Sequence, residues 1–214
     1  MLPHRAPVRV HRIVLAAAAL CAALAGCAGD GGDDVDEAAP GTAPPASAPA
    51  ADPAELEPLV LDDAPSGFSV APDDAGATGA TDLAEAAGDT RDPGAGTALA
   101  EAGFQRGWQR LWVSEDDEEE LFLLLYEFRD AAGADAFFER TAGGPAAEGG
   151  EGVFEVPAVP GAIGVTAAAE GLGVTAVVAT DDRYLVQVIC NGPEPGPSQG
   201  TVVALLAAQV ERLT

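Results

Sequence analysis

Lysine does not occur in this chain, and histidine occurs only as His4 and His11, within the first dozen residues. Aromatic residues make up 5% of the 214 positions, with two Trp and two Tyr, and methionine is confined to Met1. Each shortage excludes some chemistry. Without its leading segment the chain has no histidine base, no lysine Schiff base and no histidine-ligated metal. Serines such as Ser66, Ser69 and Ser198 then lack a His or Lys to activate them, which excludes a serine triad. Positive charge is equally scarce: 10 Arg stand against 35 Asp and Glu, a net charge of −25. Because Arg5, Arg9 and Arg12 belong to the leading segment, the remainder has 7 Arg against 35 acids, a net charge of −28. That balance excludes a basic nucleic-acid footprint, and no motif calls for a cofactor. The longest apolar run, Ile13 to Ala25, has 13 residues, whereas spanning a bilayer takes roughly 20.

What is present begins with that run. Arg5, Arg9 and Arg12 precede it as a positive flank, and small residues follow it up to Leu24-Ala25-Gly26-Cys27. A charged flank, a short apolar stretch and small residues are the parts of an export signal. Leu24-Ala25-Gly26-Cys27 resembles the lipobox of bacterial lipoproteins. The resemblance implies diacylglyceryl transfer to the sulfur of Cys27, cleavage between Gly26 and Cys27, and attachment to the cell membrane on its extracytoplasmic face. An ordinary secretory signal ending beside a cysteine is the alternative. Cys21 leaves with the signal in either case. A single acyl chain binds membranes marginally, so two or three are needed for retention.

Residues 27–58 read as an acidic, proline-rich linker. Asp30, Asp33, Asp34, Asp36 and Glu37 sit among glycines, followed by Pro40, Pro44, Pro45, Pro49, Pro53 and Pro58. Apart from Val35 and Leu56 nothing large and apolar is available for burial, so disorder is expected. A flexible chain of this length reaches about 30 Å.

Residues 59–214 are long enough for one domain with a core. Pro65 to Val70 reads as a turn and short strand, Thr81 to Ala87 as a short helix, and Thr97 to Ala102 as a helical turn closed by Gly103. Phe104 to Val113 places Trp108 and Trp112 on one pleat face. Leu121 to Phe128 is apolar on both faces, as a central strand would be, and the two runs predict a hairpin. Asp130 caps a helix bearing Ala134, Phe137, Phe138 and Thr141. Val153 to Val156 and Ile163 to Ala169 read as short strands. Val174 to Thr180 and Tyr184 to Cys190 form a second hairpin turning at Asp181-Asp182-Arg183. Asn191 to Pro197 reads as a loop, and Ser198 caps a closing helix striped with Val202, Leu205, Leu206, Gln209, Val210 and Leu213. Hairpins interleaved with helices predict an α+β domain, an antiparallel sheet with helices on one or both faces.

Val159-Pro160-Gly161, Asp182 to Val188 and Ala208 to Leu213 resemble segments of small secreted α+β lipoprotein domains of high-GC actinobacteria. The arginine-only, alanine-rich composition agrees with that likeness, while acid-rich, lysine-free surfaces also suit a haloarchaeal source.

Four features are candidate sites. Glu115 to Glu120 carries six consecutive carboxylates, but without the spacing or glycine of a calcium loop it reads as a solvated turn that attracts divalent cations weakly, not as a metal site. Asp73-Asp74, Asp181-Asp182 and Glu127 would serve a carboxylate-based hydrolase only if two of them converged in one cleft. Trp108 and Trp112 with Arg106 and Arg110 share a strand face. They form either an aromatic and guanidinium platform for a flat ligand, or a helix-covered face whose arginines pair with the chain's own acids. Cys190, the remaining thiol, is either buried or free to cross-link.

The combined reading is a membrane-anchored, non-catalytic domain that binds an unknown protein, envelope component or small ligand. A solute or lipid carrier with an apolar pocket lined by Leu123, Leu125, Phe137 and Val186 is the second reading. Cys27→Ala should abolish incorporation of labelled fatty acid and move the protein from the membrane to the soluble fraction. Unchanged labelling would remove Cys27 as the acceptor.

Overall fold

The computed structural model describes residues 52–71, 78–89, 92–143, 149, 152–169, 171–194 and 198–214. The signal segment, Cys27, most of the linker, and Asp73 and Asp74 lie outside the described residues. The fold is α+β, and its sheet is antiparallel throughout.

The strands are β1 (Phe68–Val70), β2 (Gly79–Thr81), β3 (Phe104–Ser114), β4 (Glu120–Phe128), β5 (Val153–Glu155), β6 (Ile163–Ala169), β7 (Leu172–Asp181) and β8 (Tyr184–Pro193). They lie in the order β1-β3-β4-β8-β7-β6-β5, and β2 also pairs with β3. The helices are α1 (Leu83–Asp89), α2 (Ala95–Ala102), α3 (Ala131–Phe138) and α4 (Gln199–Leu213), with a 3₁₀ helix at Pro53–Leu59.

Period-two alternation divides the core into two layers. Trp108, Trp112, Leu121, Leu123, Leu125, Val177, Ala179, Val186, Val188 and Cys190 are buried on the front face, together with Val202, Leu205 and Leu206 of α4. Leu124, Tyr126, Phe128, Val174, Ala176, Val178, Leu185 and Ile189 are buried on the back face beneath α1, α2 and α3. Helices therefore cover both faces.

Local chemistry sets the helix ends. Asp130 caps α3, its carboxylate accepting the Gly133 amide at 2.9 Å. Gly103 ends α2 at φ 80, a left-handed backbone that favours glycine. Gly133 lets α3 approach α2 closely, since a Cβ there would collide with the Ala102 carbonyl. Ser198 occupies the N-cap position of α4, but its side chain makes no capping bond.

The structure departs from the sequence reading in three places. β2 was not expected, because Gly-Ala-Thr carries no strand pattern and gains its order by pairing with Gly107, Trp108 and Gln109. β8 continues through Asn191, Gly192 and Pro193, which pair with Val174, Gly173 and Leu172. Proline is tolerated there because it ends the strand. Pro53–Leu59, inside the expected linker, is a 3₁₀ helix whose Leu56 is fully buried, so packed structure starts ahead of residue 59.

Residues 52–61 thus form a strap over β3. Leu56 and Val60 enter the front core. The Gln209 side chain accepts from Leu61 N at 2.9 Å and donates to Leu59 O at 2.8 Å, and Arg212 donates to Pro58 O at 2.9 Å. Asp52 caps the 3₁₀ helix by accepting the Ala54 amide. Leu56→Ala is expected to lower unfolding free energy by about 2–5 kcal/mol, the cost of truncating a core leucine. Urea denaturation checks this, and a change of under about 0.5 kcal/mol would mark Leu56 as a surface residue.

Candidate functional site

The front face of β3 presents Arg106, Trp108, Arg110 and Trp112 at alternate positions. Cross-strand neighbours on β4 are Glu127, Leu125, Leu123 and Leu121 in the same order. The four candidate platform residues therefore share one face, but their surroundings differ. Trp112 is fully buried and Trp108 is 9% exposed, both within the core that the strap and α4 close.

Arg106 stands at the start of this row, where β3, β4 and the β7–β8 turn meet the strap. Its Nη1 reaches Glu55 Oε2 at 2.7 Å and also donates to the Asp52 carbonyl, while its Nε donates to Glu127 Oε2. The other oxygen of Glu127 meets Arg183 Nε at 3.0 Å. Only 7% of the Glu127 side chain and 11% of the Arg106 side chain are exposed. Burial opposes the Arg106 charge, but the carboxylates of Glu55 and Glu127 outweigh it and hold the guanidinium above its ordinary range. The cluster latches the strap to the sheet and to the β7–β8 turn.

Arg110 differs from its neighbour. Its Nε, like Nε1 of Trp108 and of Trp112, is buried without a hydrogen-bond partner.

Of the carboxylate candidates, Glu127 and the turn that carries Asp181 and Asp182 lie at the same end of the sheet, joined through Arg183. Glu127 has a guanidinium on each oxygen, and Asp182 lies exposed at the β7–β8 turn with φ 49. In the acidic turn the Ser114 hydroxyl donates to Asp116 at 2.6 Å and accepts the amides of Glu118 and Glu119. Its hydrogen bond, with that of the Glu118 amide, lowers the Asp116 pKa. Among the described residues no group of three His, Cys, Asp or Glu stands close enough to hold a metal ion. Likewise, no helix there is long and apolar enough to cross a membrane.

Cys190 is 1% exposed on the front face, and burial pushes its thiol up to about 12. Leu123, Leu125 and Val186 are on the front face but Phe137 is on the back, so these four cannot line one pocket.

Comparison with protein families finds no match, and comparison with curated proteins finds none either. Among solved structures, the chain is similar to the crystal structure of the extracellular domain of PknH from Mycobacterium tuberculosis. Sequence identity is 15% and the TM-score 0.49, over 77% of this chain and 98% of that one. At these values the likeness assigns no activity.

Several polar groups of consequence escape sequence reading. Gln209 was visible only as a polar break in the apolar stripe of α4, yet it is fully buried and binds the strap. Tyr126 donates to Asp89 at 3.1 Å, tying α1 to β4. Burial raises the Asp89 carboxyl to about 6, with Glu85 adding to the rise and the tyrosine bond opposing it. Because the folded pKa is raised, the folded chain keeps a proton that the unfolded chain releases. The contribution is full below pH 3.8 and is lost as pH rises through about 6. Asp89→Asn should flatten that decline, by on the order of 1 kcal/mol once partial exposure is allowed for. Urea titrations of both proteins on either side of that window measure the difference, and equal pH dependence would contradict it.

Proposed function

We propose that the chain is an exported, membrane-anchored lipoprotein whose domain serves as a non-catalytic binding or interaction module on the extracytoplasmic face. Residues 1–26 leave as the signal, Cys27 carries the lipid, and an acidic tether leads into the strap. The observation that carries the non-catalytic part is the state of Glu127. This buried acid, a candidate for acid/base work, has both oxygens occupied by arginines and is committed to holding the strap. With no His or Lys downstream of the signal, little remains for proton transfer.

The strap also supports the interaction reading. The segment that joins tether to domain is fastened through Arg106, Gln209 and Arg212, so the domain meets its tether at a fixed point on its surface. The partner is an envelope protein, an envelope polymer or a small ligand. No nucleic acid is involved, because a −28 chain repels polyanions.

A membrane-impermeant protease added to spheroplasts should digest the domain. A photo-crosslinking side chain at Ser69, exposed on β1, should give a discrete adduct that excess purified chain competes away. Protection from the protease, or adducts indifferent to competitor, would sink the reading.

A further inference from the structure

We propose that Trp108, Arg110 and Trp112 form a site for an oxyanion, a carboxylate or phosphate on a small ligand, beneath the strap. The proposal deepens the interaction reading by giving it a ligand class. The three residues occupy alternate positions on the front face of β3, roughly 6.8 Å apart along the strand. Trp108 is 9% exposed and Trp112 fully buried, and each indole Nε1 is without a partner, as is Arg110 Nε between them. Indole and guanidinium nitrogens only donate. The row is therefore three buried donors with no acceptor, an arrangement that costs free energy until one is supplied.

The counter-charge is what makes Arg110 unusual. Among the described arginines, Arg106, Arg129, Arg140 and Arg183 are ion-paired and Arg212 is bonded to the Pro58 carbonyl. Among the described residues Arg110 alone has none of these, and its Nε is buried without a partner. It also stands where pairing passes from β1, which meets Trp112, to β2, which meets Gln109, so no described strand residue faces it on that side. A cation flanked by two N–H donors selects an anionic acceptor over a neutral one.

Size follows from charge. The acidic turn from Glu115 to Glu119 lies just past the Trp112 end of the row, so an extended polyanion would be repelled. The strap helps close the core that holds both indoles, so binding draws on states in which it has lifted, and apparent affinity scales with their population.

Trp108 and Trp112 are the only two tryptophans, so emission excited selectively at tryptophan reports this row alone. The full-length chain in detergent, at constant ionic strength, is titrated with inorganic phosphate, benzoate and the neutral isostere benzamide. A saturable change with phosphate or with benzoate, but not with benzamide, is expected, and the anion that acts identifies the group. Arg110→Gln should weaken that response about tenfold or more while leaving the melting temperature unchanged. Trp108→Phe should also weaken it, with Trp112 as the remaining reporter. Leu56→Ala, which loosens the strap, should tighten it; weakening instead would overturn the strap's role as cover. No saturable response to either anion, or an undiminished one in Arg110→Gln, would overturn the site. A null titration beside a retained, competable adduct at Ser69 overturns this proposal only, whereas loss of the adduct removes the interaction reading itself.

Discussion

Two-sided burial of the central strands is the constraint on which the rest of the structure depends. β4 places Leu121, Leu123 and Leu125 on one face and Leu124, Tyr126 and Phe128 on the other, and all six are 2% exposed or less. Such a sheet needs cover on both sides. The back face receives α1, α2 and α3, where Phe104 and Phe137 add edge-on and tilted contacts to Tyr126 and Phe128. The front face receives α4, but that helix packs on β7 and β8 and leaves β3 to be covered by something else. The strap supplies that cover.

Much of the polar arrangement follows from holding the strap down. A 3₁₀ helix of seven residues is too short to be stable alone. Leu56 and Val60 contribute apolar burial, while Gln209 satisfies the backbone of Leu59 and Leu61, which would otherwise be left unpaired. Glu127 is buried at a desolvation cost, and two arginines offset it. The same enclosure leaves Trp108, Arg110 and Trp112 with donors unmet, so a well-fastened strap lies beside buried donors without partners.

Legibility tracked the range of the interaction. β3, β4, β7, β8 and α3 carry their own patterns: alternation, two-sided apolar runs, and a capping aspartate at Asp130. The 3₁₀ helix did not, because prolines and acids around Leu56 match a disordered linker in composition, and only contact with β3 and α4 distinguishes them. Leu56 was nevertheless one of the two large apolar residues in that stretch, and its burial is the reason it stands there. Among candidate site residues, the shared face of Arg106, Trp108, Arg110 and Trp112 was legible from parity alone. The division between a paired Arg106 and an unpaired Arg110 was not, since Glu55, Glu127 and Arg183 reach Arg106 from three separate elements.

By itself the sequence determined what this protein lacks and how its strands alternate: a missing side chain cannot act at any distance, and pleat parity is local. It also determined that acids outnumber arginines, and hence that most arginines would find partners. Only the tertiary structure decided which ones do, which faces the helices and strap close, and that Phe137 lies across the sheet from Leu123. These depend on strand order and on contacts between segments up to 154 residues apart, such as Arg212 with Pro58, which no local pattern encodes.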